Sequence, residues 1–281
     1  MTGAPTSEYL LGVDQSELER LRFQHEVWKP VTDAFLDRIG VKTGWKCLDV
    51  GAGPGLVALD LRRRVGEVGE VTALEPSKLY RDWLREEADR RAYANVRLLE
   101  GTAESVSLTP DYYDLIFSRW VIAFVQDAER FLKPLMSALR PGGVIAVQDY
   151  MYEGLALFPR GGAFDRIPGT VRAYYESVGG DPYVTASLPG IFRSNGIQTI
   201  ECSPHSLAGG PDSRVMQWAH LFFTAHIPRM VERGIIGEEE GRAMMVDWVA
   251  HRKNQDTLFF SPIVVDVAGR KTDHSVEHVE G

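Results

Sequence analysis

Lys46-Cys47-Leu48-Asp49-Val50-Gly51-Ala52-Gly53-Pro54-Gly55-Leu56 begins as a short apolar run and passes three glycines in five positions. It then enters a segment, Leu56 to Val65, with Val57, Leu61 and Val65 at four-residue spacing. The pattern predicts a strand, a tight turn and a helix in immediate succession. Backbone free of side chains and a helix N-terminus then meet where a polar ligand can approach closely. The dinucleotide fingerprint G-x-G-x-x-G needs a third glycine where Leu56 stands, and that side chain obstructs the close helix–strand packing of the motif. A nicotinamide or flavin dinucleotide is therefore disfavoured. A glycine turn with no ligand is the plain alternative, but three glycines cost conformational entropy that such a turn does not require.

Working outward, short apolar runs at Glu70–Leu74, Val96–Leu99, Asp114–Phe117 and Val144–Gln148 alternate with helical stretches. Runs this short and this apolar suit parallel strands buried on both faces. Ser77 is placed to cap a helix carrying Leu79, Trp83 and Leu84. Asp127 caps one carrying Phe131, Leu135 and Leu139, stopped by Pro141-Gly142-Gly143. Regular alternation predicts an α/β fold with a doubly wound, mostly parallel sheet and right-handed crossovers. Glu75 ends the second run 24 positions after Gly51, where a carboxylate can accept both ribose hydroxyls of an adenosine.

On the N-terminal side, residues 14–39 have helical periodicity through Leu18, Leu21, Trp28, Val31, Phe35 and Ile39, with Asp14 or Ser16 as cap. Pro30 is expected to break this into two helices. On the C-terminal side, Pro159, Gly161-Gly162, Pro168 and Gly179-Gly180-Asp181-Pro182 punctuate Tyr150 to Pro189, read as a partial lid. A helix over Leu188–Asn195, a strand over Ile197–Cys202 and a helical pair, Arg214–Arg233 and Glu238–Lys253, follow. That pair carries Met216, Trp218, Phe222, Phe223, Met244, Met245 and Trp248, a stripe suited to core or to an apolar pocket. Leu258 to Val267 is expected as one final strand with a bulge or edge at Pro262. The resulting division is a helical cap at 1–44, an α/β core at 45–149, completion of the sheet at 150–271 with lid insertions at about 150–185 and 211–254, and a frayed tail at 272–281.

A formal net charge of -8 over 281 residues argues against a nucleic-acid partner, which is held mainly by clustered Lys and Arg. Cys47 and Cys202 are the only cysteines, so neither a disulfide framework nor a cysteine zinc site is expected. His274 and His278 stand four apart with no third ligand nearby, and no metal is expected. Without a leader pattern over Met1–Leu18, or an apolar run near the roughly 18 residues of a membrane span, a cytoplasmic protein is expected. It is expected as a monomer or homodimer.

Residues 45–148 resemble the class I S-adenosylmethionine-dependent methyltransferases of the small-molecule type. The resemblance rests on the D-x-G-x-G-x-G loop at 49–55, Glu75, Gly101-Thr102-Ala103-Glu104, Ser118-Arg119-Trp120 and Leu139-Arg140-Pro141-Gly142-Gly143. It implies a Rossmann-like sheet of seven strands with S-adenosyl-L-methionine as cofactor and S-adenosyl-L-homocysteine as product. Asp49, Gly51, Ala52 and Gly53 would hold the amino-acid end of the cofactor, with Asp49 attracting its ammonium. Glu75 and Pro76 would meet the ribose, and Thr102 and Ala103 the adenine, Thr102 standing where the family commonly has an Asp. Ser118 and Arg119, closing the fourth strand, would also bind the cofactor, and the run Leu21–Trp28 resembles a helix folded over it, with Gln24 and Trp28 in reach.

Methyl transfer from a sulfonium is an in-line displacement driven largely by alignment and exclusion of water. An oxygen acceptor usually needs a general base, whereas an activated carbon or an amine needs only positioning. Asp149, Tyr150, His220 and His226 are the candidate bases, with His205 and Glu176 behind them, and the acceptor atom is open. Two other readings stand beside the small-molecule enzyme. One is a cofactor-binding protein of the same fold without methylating activity. The other is a protein or RNA methyltransferase, which the acidic balance disfavours for RNA.

Overall fold

The structure, a computed structural model, describes residues 15–272. In chain order these form α1 (Gln15–Arg38), β1 (Lys46–Val50), α2 (Leu56–Val65), β2 (Glu70–Leu74), α3 (Lys78–Arg90), β3 (Val96–Leu99), β4 (Tyr113–Arg119), α4 (Ala128–Ala138) and β5 (Leu139–Met151). There follow β6 (Ala156–Phe158), α5 (Ile167–Glu176), α6 (Leu188–Ser194), β7 (Ile197–His205), β8 (Ala208–Gly209), α7 (Arg214–Glu232), α8 (Glu238–His251), β9 (Leu258–Phe260) and β10 (Ile263–Lys271).

Seven strands make one sheet in the order β3-β2-β1-β4-β5-β10-β7. The first five pair in parallel, and β10 runs antiparallel to both β5 and β7. Cys47 to Val50 are all buried because each face of β1 is covered by its own apolar cluster. The order reverses between β1 and β4, so the crevice for a ligand opens beyond the carboxyl ends of those strands. The caps are as expected: the Ser77 hydroxyl accepts the Tyr80 N–H and the Asp127 carboxylate the Arg130 N–H.

Pro30 does not break the first helix. It lies inside α1, on an exposed face of the helix. Its cost, about 3 kcal/mol, is offset by Leu18 and Trp28 on one side and Phe35, Leu36 and Ile39 on the other, all buried. Each such side chain contributes about 1.5–3 kcal/mol.

The expected final strand is two strands. Pro262 offers no N–H to a ladder, while the buried Ser261 donates its N–H to the Leu207 carbonyl at 2.8 Å and accepts the Leu207 N–H on Oγ at 2.9 Å. That corner sends β9 into a small sheet, β6-β9-β8, and β10 into the main one. The cap at Asp14, the tail beyond Thr272 and the pair His274 and His278 lie outside the described residues. Among the described residues, no helix is long and apolar enough to cross a membrane.

Candidate active site

A cavity of about 950 Å³ occupies the crevice, bounded by the loops after β1, β2, β3 and β4 and covered by α1 and α7. This is at the upper end of ligand-site volumes, on the order of 300–1,000 Å³, and gives room for two molecules side by side.

Its floor is the glycine loop. Gly51 has φ +64°, and a Cβ there would stand 2.5 Å from Val121 Cγ2, so the turn excludes a side chain on two grounds. The Gly53 N–H donates to Glu75 Oε2 and the Ser77 N–H to Glu75 Oε1, both at 2.8 Å. The carboxylate is thereby oriented, and each oxygen retains capacity for a second donor. Burial raises the Glu75 pKa, opposed by those two N–H groups and by Arg81.

Asp49 is buried at the end of β1, and its Oδ2 has no protein partner. Burial pushes its pKa up to about 7, against the pull of Arg119 and of the Ala58 N–H. A buried carboxylate with an open acceptor atom at a cavity wall calls for a donor from the ligand.

Arg119, the last residue of β4, donates to Thr32 Oγ1 at 2.9 Å, lies 2.9 Å from His25 Nδ1, and carries its guanidinium 4.5 Å from the Trp120 ring centroid. No carboxylate among the described residues lies within ion-pair distance of it, and burial lowers its pKa to about 10. His25 is held neutral, its pKa brought down to about 3 by burial and by Arg119. Gln24 Oε1 accepts from Arg20 Nη1 at 2.9 Å and from Trp218 Nε1 at 3.0 Å, tying α1 to α7 over the cavity.

Gln24, Asp49, Gly51, Ala52, Gly53, Glu75, Pro76, Thr102, Ala103 and Arg119 all line this space, as does Tyr150. Ser118 does not: its hydroxyl is buried against the Val50 carbonyl at 3.4 Å. Trp28 is fully buried beneath the wall rather than in it. Asp149 lies outside the cavity too, because its carboxylate accepts the N–H groups of Val121, Ile122 and Ala123 at 2.9, 2.9 and 3.4 Å and that of Tyr150 at 2.8 Å. It holds the turn after β4 in place. Burial brings its pKa up to about 6.

His220 is bonded by Trp248 Nε1 at 3.2 Å outside the cavity. His226 is fully buried against Phe222 and Tyr174 with its pKa lowered to about 2, chiefly by burial. His205 is engaged with Asp266 at 2.8 Å, and Glu176 is exposed at the end of α5. Phe124 and Tyr175 line the cavity without having been singled out from the sequence, and so does Trp120, quoted there only as part of Ser118-Arg119-Trp120. Trp120 has φ +56°, a left-handed conformation rare for a bulky residue, which turns its ring onto Tyr150 at 6.2 Å.

The methyltransferase domain family matches residues 48–147, the span from β1 into β5. The chain carries a class I S-adenosylmethionine-dependent methyltransferase domain. Ubiquinone/menaquinone biosynthesis C-methyltransferase of Idiomarina loihiensis is 32% identical over 130 residues, 45% of this chain and 49% of that protein. The chain thus spans about half the length of such relatives. Among solved structures, a methyltransferase from Aquifex aeolicus described as S-adenosylmethionine-dependent aligns with TM-score 0.51 at 21% identity, over 68% of this chain and 92% of its own. The [4+2]-cyclase SpnF aligns with TM-score 0.54 at 18% identity, over 86% and 80%. Both structures share the fold of this methyltransferase domain.

Proposed function

We propose that the protein transfers the methyl group of S-adenosylmethionine to a small apolar or aromatic acceptor held beside it in the same cavity. The observation that carries this reading is the buried, unpartnered Oδ2 of Asp49, a residue that lines the same cavity as Glu75, next to a chamber walled by aromatic rings. The residues fit the cofactor. Asp49 accepts an ammonium, Glu75 accepts two hydroxyls, Arg119 offers a half-buried cation with no carboxylate within ion-pair distance among the described residues, and Thr102 and Ala103 border the remaining pocket. When bound, the sulfonium supplies the electrophilic methyl.

The acceptor side is formed by residues of the proposed lid segments, 150–185 and 211–254, together with the turn after β4. Tyr150, Tyr175, Val178 and Phe222 face Trp120 and Phe124, with Phe124 stacked on Tyr175 at 4.8 Å. Such a chamber takes an apolar body and shields a cationic sulfonium. No histidine lines it among the described residues, and of the candidate bases only Tyr150 does. An acceptor that needs alignment rather than deprotonation, an activated carbon or an amine, suits that wall. Tyr150→Phe is accordingly expected to lower kcat by less than about tenfold, whereas loss of a general base costs about 10²–10⁴. Steady-state rates at saturating cofactor decide between the two.

The primary test is calorimetric binding of S-adenosylhomocysteine, followed by labelled methyl transfer from S-adenosylmethionine in a metabolite extract. Label in the small-molecule fraction supports the reading, label in acid-precipitable material replaces the acceptor class, and absence of binding ends it.

The Asp49 carboxylate adds a pH signature. Its ligand-free pKa near 7 means that the ammonium seat is ionised above that pH and protonated below it. Affinity for S-adenosylhomocysteine is expected to be flat above pH 7 and to weaken about tenfold per unit below it, with proton release on binding. In the ligand-free protein the sign is opposite. The stability that Asp49 contributes is present in full below its unfolded value and is lost as pH rises through about 7. Equal affinities at pH 6 and pH 8 would remove Asp49 from the site.

A further inference from the structure

Beyond the acceptor chamber lies a second, separate void of about 20 Å³, and the two spaces share three wall residues: Tyr150, Tyr175 and Phe222. The far side of the void is formed by Leu155, Phe223 and Phe259 among others, at the small sheet. It is the size of about one water molecule, and its wall is mainly aromatic, with Tyr152 and Trp218 beside the shared residues.

The three shared residues are not equivalent. Tyr150 stands on a central strand, and Tyr175 is 2% exposed and stacked on Phe124. Phe222 is only partly buried, hangs from α7, carries no polar atom, and packs its ring on Phe223 at 5.5 Å and His226 at 4.5 Å. Its removal would orphan no hydrogen-bonding group.

We propose that Phe222 is the specificity-determining wall of the acceptor chamber, closing it against the void and so limiting the length of the apolar acceptor that fits. This rests on the proposed reading of the chamber as the acceptor site. Shortening Phe222 joins chamber and void into one channel running toward Phe259. Enlarging it moves the wall inward.

The test uses a 4-n-alkylphenol series, methyl to octyl, titrated by calorimetry into protein saturated with S-adenosylhomocysteine. In the natural chain, affinity is expected to rise about three- to fourfold per accommodated methylene and then to break at one chain length. In Phe222→Ala the break moves to longer chains by several carbons, and in Phe222→Trp to shorter ones. Binding of S-adenosylhomocysteine reports that each variant is folded, and the tryptophan variant keeps the test standing if the alanine variant is not. A break at the same chain length in the natural chain and in either folded variant overturns the proposal. If no alkylphenol of any length binds the natural chain, the aromatic-acceptor reading itself falls and takes this inference with it. Binding with an unmoved break removes only the role of Phe222.

Discussion

Glu75→Ala is expected to weaken S-adenosylhomocysteine binding by about 10²- to 10⁴-fold. In its proposed role the carboxylate accepts two ribose hydroxyls, and hydrogen bonds to a charged acceptor are worth about 1.5–3 kcal/mol each. The substitution does further damage inside the protein. The N–H groups of Gly53 and Ser77 lose the oxygens they now meet at 2.8 Å, and the first of them belongs to the loop that forms the cavity floor. Glu75→Gln keeps one carbonyl acceptor and is expected to fall between, near tenfold. Calorimetry at pH 7.5, with circular dichroism to confirm the fold, measures both. An alanine variant within threefold of the natural affinity would remove Glu75 from cofactor recognition.

Trp28→Ala is expected to cost about 3–5 kcal/mol of stability, as for other buried large-to-small changes, which lowers Tm by on the order of 10 °C in a chain of this size. The ring is fully buried and meets Trp120 edge-on at 6.1 Å and Trp218 edge-on at 5.6 Å. It therefore fastens α1 both to the turn after β4 and to α7. Losing it loosens the cover as well as the core, so cofactor affinity should fall together with Tm. The indole N–H is buried without a partner, and Trp28→Phe, which drops that orphan donor and keeps an aromatic ring, should lose clearly less. Thermal and denaturant unfolding give the comparison. A loss below about 1 kcal/mol in the alanine variant would mean that the surrounding rings close over the gap.

The core was legible because its signals are local. A continuous apolar run between turn residues is a strand buried on both faces wherever it packs, and the runs from Lys46 to Leu99 appear with the ends expected of them. Glu75 was legible for the same reason, since a carboxylate at a strand end next to a glycine turn has few other places to go. Pro30 shows the limit of local reading. Proline opposes a helix through its own missing N–H, and only the partners of Trp28, Phe35 and Leu36 settle that the helix continues. Ser261-Pro262 shows it again, because the corner depends on Leu207, far away in the chain.

Of the candidate bases, Tyr150 lines the cavity while Asp149, His220 and His226 do not, for the same reason. Asp149 is at the mouth of the crevice by strand register, yet its carboxylate is consumed by the N–H groups of Val121, Ile122 and Ala123. His226 shares α7 with Phe222 but is packed beneath it, and nothing in the helical periodicity separates the two positions.

By itself, then, the amino-acid order determined the α/β alternation, the glycine loop at 51–55 and the acidic residues that flank it. Each of these follows from backbone preference and from neighbours a few positions apart. Only the tertiary structure decided which side chains share the cavity, that Trp120 is turned into a left-handed conformation toward Tyr150, and that Phe222 stands between two spaces. Those facts arise where the turn after β4, α5 and α7 meet, and contacts between residues far apart in the chain leave no periodicity in the sequence to reveal them.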